Sequence, residues 1–288
     1  LAEGLTRQGV TINKQTERYF SPPTRENIRN LILSALADQG EEVSYGQPFS
    51  LPEAGIFHPD SKEIFADYES YLAWYRQSGR FSPAGFWVGI HTNHISALKD
   101  RGRVEARIIH TLEAAGINAL PVFARTPYHQ ALQKYFLDKD NQPLVQAICG
   151  FAFKFLKGFA AETDRILRRI NAPVFIPLAT DPMTTQQWQK SSQGISPLRM
   201  ASQFCVPEQN GAIEPTIVGG KSRAILKGTT DLVYDTVAMP ENIDFLVGRI
   251  KAWHRLRAKP VQEKKVAILY WNHPPGKQNV GASYLNLF

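Results

Sequence analysis

Apolar positions along this chain change their spacing near residue 83, and the change separates two kinds of structure. Behind Thr24, apolar residues recur three and four positions apart until Gly40, which predicts an amphipathic helix. A second helix with an aromatic stripe is predicted soon afterwards, capped by Asp60 or Ser61. The beginning of the chain is therefore expected to be a helical and looped segment.

From residue 83 onwards, short apolar runs alternate with amphipathic helical stretches. The runs GFWVGI, INALPVF, LVQAICG and APVFIPLA are typical of strands buried in a parallel sheet. Helical patterns separate the first run from the second and the third from the fourth, and a further helix is predicted over 127–137. Two βαβ units in succession predict an α/β fold built on a Rossmann-like parallel sheet of at least four strands.

After this sheet, residues 191–220 alternate turn formers such as Gly194, Pro197 and Pro207 with short apolar runs. That alternation of turn formers with short apolar runs predicts crossing loops and short strands rather than a helix. A helix is then predicted between Pro240, which suits a first turn, and Pro260, which stops it. The run KKVAILYW begins one more strand near the end, so the chain is expected to be a piece of a longer protein.

The length of 288 residues suits about two domains, and 43% hydrophobic with 20% charged residues is an ordinary globular composition. The patterns predict four segments in chain order. They are 1–82, a helical and looped N-terminal segment; 83–190, the Rossmann-like α/β domain; 191–262, a loop-rich strap and helix carrying Glu208; and 263–288, the truncated start of a further α/β domain.

Several classes of protein are disfavoured by composition. The chain has no apolar run of about 18 residues, which argues against a membrane span, and Glu3 and Arg7 interrupt any signal-like start. Cys149 and Cys205 lie in apolar settings and are expected to be buried free thiols, which fits a cytoplasmic location. The net charge of +7 is spread along the chain without a nucleic-acid motif, which argues against nucleic acid. A basic rim would suit an acidic small molecule, and a solvated basic face is the default interpretation.

The predicted sheet also predicts where a ligand lies. Doubly wound sheets bind ligands beyond the carboxyl ends of their strands. The segments that leave those ends are 91–97, 125–129, 150–158 and 180–192.

The run VPEQNGAIEP, residues 206–215, holds Glu208 between Pro207 and a turn-prone Gln-Asn-Gly sequence. A carboxylate in such a place often only caps a turn or pairs with an arginine. However, this run resembles the LPELDGxxEP motif of the tetrapyrrole metal chelatases, the family of the cobaltochelatase large subunit and the magnesium chelatase H subunit. The resemblance extends to a second segment, NHPPGKQNVGASYLNLF at 272–288, and to four residues ahead of the motif: Trp188, Ser191, Gly194 and Pro197.

The resemblance implies a function and its partners. The chain would be a fragment of the large, tetrapyrrole-binding subunit of a chelatase that inserts a divalent metal, Co²⁺, Mg²⁺ or iron, as substrate. ATP would be hydrolysed by separate AAA+ motor subunits. The chain itself offers no nucleotide motif, because the GGKS at 219–222 lacks the earlier glycine of a P-loop, whose place Pro215 takes.

The resemblance also implies the site residues. Glu208 is the expected general base, and His94, at the position of a family S-H-x-x-T-G motif, is expected to be catalytic and to bind the metal. His91 is the second metal candidate, since a neutral imidazole can bind an incoming ion, although strand alternation could bury it instead. The residues expected to bind the tetrapyrrole are His58, Trp188, Glu214 and His273. Each has a structural alternative: capping or packing for His58, core packing for Trp188, support of the loop for Glu214 and simple exposure for His273.

Two other functions remain open from the sequence. The first is a dechelatase of the same family that removes iron from haem, suggested by Asn210, where the family has an aspartate, and by His273. The second is a non-catalytic α/β module that binds a small ligand.

Overall fold

The computed structural model describes residues 14–20, 24–93, 103–125, 128–151, 160–225, 228, 230 and 232–267. Its first two helices are α1, Lys14–Tyr19, and α2, Arg25–Asp38. As predicted, Thr24 caps α2, because its side chain accepts a hydrogen bond from the Asn27 amide at 3.0 Å.

Helix α2 packs on a polar face rather than on its apolar stripe. The buried residues are Asn27 and Asn30, while Ile32 of the predicted stripe is 56% exposed. The Asn27 amide group donates to the carbonyl of Phe49 and accepts from its N–H, both at 2.8 Å. Side-chain hydrogen bonds therefore hold the 41–50 loop against this helix, a role that hydrophobic periodicity does not reveal.

A short hairpin separates this region from the next helix. Strands β1, Ala54–Phe57, and β2, Ile64–Phe65, precede α3, Tyr68–Gln77. The expected cap at Asp60 or Ser61 is wrong, because the hairpin occupies the residues after them and Asp67 caps α3 instead. The aromatic stripe is core, as the buried Tyr71 shows by donating from its hydroxyl to the Ala119 carbonyl at 2.8 Å.

The sheet has eight strands in the order β2-β1-β4-β3-β5-β6-β7-β8. The five central strands, β4, β3, β5, β6 and β7, are parallel, and β1, β2 and β8 are antiparallel to their neighbours. The predicted α/β fold with a mostly parallel sheet is confirmed. The remaining strands are β3 Trp87–Asn93, β4 Asn118–Ala124, β5 Ala147–Gly150, β6 Val174–Thr184, β7 Ala212–Ile225 and β8 Leu232–Ala238.

The order of the parallel strands creates a switch point between β3 and β5. From β3 the chain passes through α4, Arg103–Ala114, to β4 on one side. It then returns through α5, Tyr128–Phe136, to β5 on the other side of β3, and continues outward through α6, Ala160–Ile170, to β6. The connections that leave β3 and β5 therefore diverge, which in doubly wound folds opens a crevice at their carboxyl ends.

Residues 197–209 are helical, so the prediction of loops and short strands is wrong there. After α7, Thr185–Lys190, the chain forms α8, Pro197–Met200, a π-helical turn, Ala201–Cys205, and α9, Val206–Gln209. Pro197 lies in the first turn of α8, where a missing N–H is tolerated, and Pro207 directly follows the π-helical turn. The later turn formers, from Pro215 to Gly220, lie inside the 14-residue strand β7.

The final described α-helix, α10, Pro240–Ala258, begins at the predicted proline and is followed by a 3-10 turn, Val261–Glu263. The described residues up to Lys251 form one compact unit, and those from Ala252 form a second. The strands of the sheet come from the first three of the four predicted segments. The boundaries of those segments remain a prediction. Of the run KKVAILYW, 268–271 lie outside the described residues and 264–267 have no regular structure. None of the described helices is long and apolar enough to cross a membrane.

The two cysteines have different environments. Cys149 on β5 is buried, and burial raises the pKa of its thiol to about 12. Cys205 in the π-helical turn is exposed, so the expectation that both thiols are buried is wrong for this residue.

Close packing of β3 against α5 depends on Gly89. A Cβ atom at this position would lie 2.6 Å from the Phe136 ring, and the ring is fully buried. We expect Gly89→Ala to lower the free energy of unfolding by about 1–3 kcal/mol through overpacking. The matched control is Gly248→Ala on α10, where a Cβ meets nothing within 4 Å and should raise stability by about 0.5–1 kcal/mol. Urea unfolding of both variants tests this, and equal effects would contradict it.

Candidate functional site

A cavity of about 290 Å³ lies at the carboxyl ends of the strands on both sides of the switch point. Strand β3 contributes Asn93, the end of β5 contributes Gly150 and Phe151, and β6 contributes residues 176–179. This is the edge at which the predicted parallel sheet was expected to bind a ligand. The two segments of the prediction that reach this cavity within the described residues are 91–97, at Asn93, and 150–158, at Gly150 and Phe151.

The opposite wall is the helical segment 197–209. Its cavity-lining residues are Arg199, Gln203 and Pro207, each four positions after the one before. Residues spaced by four lie on one face of a helix. One face of the segment therefore lines the cavity. This face carries one guanidinium, one amide and one proline.

Pro207 accounts for the irregular shape of that wall. A proline cannot donate to the carbonyl four residues before it, here that of Gln203, so a regular α-helix cannot continue through it unchanged. The helix widens into the π turn directly before Pro207, with the N–H of Val206 donating to the carbonyl of Ala201. Single π turns of this kind are frequent at functional sites.

Glu208 follows Pro207 on α9 and is exposed. Its backbone carbonyl accepts from the N–H of Gly211 at 2.9 Å, which ends the helix. Among the described residues its carboxylate has no recorded ion pair. The expected general base therefore lies one residue beyond the cavity wall, with its carboxylate open to solvent.

His91 lies two residues before Asn93 on β3, so strand alternation places both side chains on the same face of the sheet. The His91 ring is 1% exposed, and burial lowers its pKa to about 4. The imidazole is therefore neutral near pH 7. Among the described residues no group of three or more His, Cys, Asp or Glu is placed to hold a metal ion. The other predicted metal ligand, His94, lies outside the described residues, as does His273.

A buried carboxyl group that we did not predict lies beside the same strand end. Glu105 on α4 is 6% exposed and accepts a hydrogen bond from the Thr92 hydroxyl at 2.9 Å. Burial raises the pKa of this carboxyl group. The sequence did contain a signal, since Glu105 falls on the buried helical stripe that includes Ile108, Ile109 and Leu112.

His58 lies at the other edge of the sheet. Strand β1 is antiparallel to β4, with Ala54 opposite Ala124, so His58 leaves β1 beside the amino ends of the parallel strands. Its Nε2 is 3.0 Å from a Glu113 carboxylate oxygen, and its ring centroid is 4.8 Å from that of Trp74. The described structure thus places His58 in a buried contact between β1 and α4, away from the cavity.

Glu214 also lies toward the amino edge. It is the third residue of β7, whose first residue, Ala212, pairs with Val174 at the start of β6. Both carboxylate oxygens accept hydrogen bonds from Arg249, at 2.7 and 2.5 Å, and this raises the pKa of the guanidinium. The structure therefore does not bring Glu214 to the cavity that Pro207 lines.

The remaining predicted positions have local roles in the described structure. Trp188 on α7 is half-buried and packs against the main hydrophobic core. Asn210 donates from its side-chain amide to the carbonyl of Val206 at 2.6 Å, so it completes the end of α9. The GGKS sequence lies inside β7, paired with strands on both sides, and does not form a loop before a helix.

Comparison with known proteins decides the family. The family model described as CobN/Magnesium Chelatase matches residues 17–288. The chain belongs to this family. It is 29% identical over 285 residues to the chloroplastic magnesium-chelatase subunit ChlH of Oryza sativa subsp. japonica, covering 93% of this chain and 20% of the relative. It is 27% identical over 290 residues to the aerobic cobaltochelatase subunit CobN of Pseudomonas aeruginosa, covering 96% of this chain and 22% of that subunit.

A solved relative supports the fold of this chelatase-family chain. The catalytic subunit of cobaltochelatase from Mycobacterium tuberculosis superposes with a TM-score of 0.59 at 18% identity, over 87% of this chain and 20% of that one. At this identity the likeness concerns the fold. The chain spans about a fifth of the length of the relatives it matches.

The buried Glu105 predicts a pH-dependent stability. Its folded-state pKa is raised above the unfolded value, so its neutral form stabilises the fold at low pH and this contribution is lost as the pH rises through the folded-state pKa. Glu105→Gln keeps an oxygen that accepts from Thr92 and cannot ionise. We expect the wild type to lose stability relative to this variant as the pH rises from about 4 to about 8.

Urea unfolding at a series of pH values measures this difference. The matched control is Glu42→Gln, which removes an exposed carboxylate from the 41–50 loop and should follow the wild type throughout. A gap between wild type and Glu105→Gln that stays constant with pH would contradict the prediction.

Proposed function

We propose that this chain forms the tetrapyrrole-binding and catalytic part of the large subunit of a metal chelatase. The observation that carries the proposal is the switch-point cavity, closed on one side by the helical segment that bears the VPEQNG motif. In this segment Pro207 lines the cavity and Glu208 follows it with an exposed carboxylate. A family motif and a crevice that doubly wound sheets use for ligands thus meet at the same place.

Metal insertion requires that a flat macrocycle is held, that two pyrrole N–H protons are removed, and that a divalent ion enters the ring. The ion, Co²⁺ or Mg²⁺, is a substrate, and two protons leave the ring nitrogens as it binds. Glu208 is proposed to accept them, since a carboxylate at the mouth of a crevice can pass protons on to solvent. His94 and the neutral imidazole of His91 remain the proposed metal-handling groups.

The size of the cavity restricts how a ring can sit. Pockets that enclose drug-sized ligands usually measure about 300–1,000 Å³, and a tetrapyrrole is larger than most such ligands. A cavity of about 290 Å³ can hold only part of the macrocycle. The ring is therefore proposed to lie across the mouth, with its other face covered by polypeptide beyond the part described here.

The energy for insertion is proposed to come from separate AAA+ motor subunits that hydrolyse ATP. In the described part of the chain the only sequence resembling a phosphate-binding motif is the GGKS within β7, and its geometry does not form such a loop.

The proposal is tested by Glu208→Gln in the complete polypeptide that carries these 288 residues, assayed with its motor subunits. Loss of the general base should slow metal insertion by roughly 10²–10⁴-fold, while tetrapyrrole affinity stays unchanged. Insertion is followed by the change in tetrapyrrole absorbance, and affinity by fluorescence quenching. Glu69→Gln is the control for loss of one exposed carboxylate elsewhere and should leave both unchanged.

The outcomes separate the alternatives. Insertion at the wild-type rate in Glu208→Gln would overturn the role of this residue. Iron release from haem without insertion activity would identify a dechelatase, and failure of the wild type to bind any tetrapyrrole would leave a module for another small ligand.

A further inference from the structure

The cavity is lined by polar side chains that have no part in the proposed proton transfer to Glu208. Arg199 is the only charged side chain among the described residues that line the cavity, and the amides of Gln203 and Asn93 are its polar neighbours. No carboxylate is among those lining residues. The described lining thus offers one guanidinium and two side-chain amides to a ligand.

One wall beside these polar groups is apolar. Residues 176–179 of β6 contribute Ile176, Pro177 and Leu178, and all three are buried. Charge-assisted hydrogen bonds are stronger where the local dielectric is low. An anion that enters this cavity would thus gain more from Arg199 than it would from an arginine on an open surface.

The geometry of the groups favours a carboxylate. A guanidinium presents a planar fork of N–H donors that matches the two oxygens of a carboxylate. Arg199 and Gln203 lie on the same face of the helical segment, and Asn93 approaches from the end of β3. Side-chain amides can donate to the remaining lone pairs of the same anion.

We propose that Arg199, Gln203 and Asn93 form a subsite that binds one peripheral carboxylate of the tetrapyrrole. This rests on the proposed function and deepens it. The carboxylate arm enters the cavity, whose volume suits a side arm and not the ring, and the macrocycle stays at the mouth, near Glu208. The subsite fixes the edge of the ring, so it determines which nitrogens face the general base.

The test compares deuteroporphyrin IX with its dimethyl ester, whose carboxyl groups carry no charge, by fluorescence quenching on the complete polypeptide. The wild type should bind the free acid more tightly. Arg199→Gln should weaken binding of the free acid roughly ten- to hundredfold and leave the affinity for the ester nearly unchanged, as expected when a hydrogen-bonded charge is lost. Arg199→Lys keeps the charge without the fork and should give an intermediate loss.

Two further variants guard against a folding defect. Gln203→Glu places a carboxylate in the cavity and should abolish the preference for the free acid while Arg199 is still present. Arg169→Gln changes an exposed arginine in the last turn of α6, toward the amino edge of the sheet, and should alter neither affinity. Circular dichroism confirms the fold of each variant.

The outcomes distinguish the subsite from the function. Equal affinities of wild type and Arg199→Gln for the free acid would overturn the subsite and leave the chelatase proposal intact. Inorganic phosphate that competes with the free acid more strongly than acetate does would overturn the carboxylate assignment in favour of a phosphate site. Failure of the wild type to bind either porphyrin would overturn both proposals.

Discussion

The structure depends on a constraint of parallel sheets, namely that a crossover must return the chain to the amino edge of the sheet before the next parallel strand begins. Because β4 and β5 lie on opposite sides of β3, the crossovers that leave β3 and β5 run to opposite sides of the switch point, which in doubly wound folds opens a crevice there. The helical segment 197–209 occupies that position. The position of the candidate site thus follows from the order of the strands. The motif residues lie on a helical segment that forms one wall of this crevice.

The two edges of the sheet have different charge arrangements. At the amino edge, ionisable groups contact each other directly: His58 lies against Glu113, and Glu214 is held by Arg249. At the carboxyl edge, the described cavity wall combines one guanidinium with amides and apolar side chains. The described ionisable groups that pair at the amino edge stabilise the fold, whereas Arg199 lines a cavity and is the group proposed to meet a ligand.

The sequence allowed the central part of the fold to be predicted because its signals are periodic and local. Strands β3 to β6 and their crossover helices follow from alternating apolar runs, and α10 follows from Pro240. The 197–209 helix was missed because proline in a first turn looks the same in sequence as proline in a loop. Its formation depends on packing against the sheet, which no local pattern records.

Residue roles were harder to predict than the fold. The histidines and Glu214 were chosen by residue type and by family motif, yet His58 and Glu214 lie at the edge of the sheet opposite the cavity. One motif residue, Pro207, does line the cavity. Arg199 and Asn93 were not singled out because a lone arginine or asparagine carries no signal until the chain brings it to a crevice.

The π turn before Pro207 affects how this wall accommodates the insertion or deletion of a residue. Such a turn accommodates one more residue than an α-helix does, and each residue advances a helix by about 100°. Removing that additional residue would convert the wide turn into an α turn and leave the side chains beyond it, including the carboxylate of Glu208, facing nearly the same way. A length change of one residue in this turn is therefore absorbed locally, and the part of the wall that follows keeps its orientation toward the cavity.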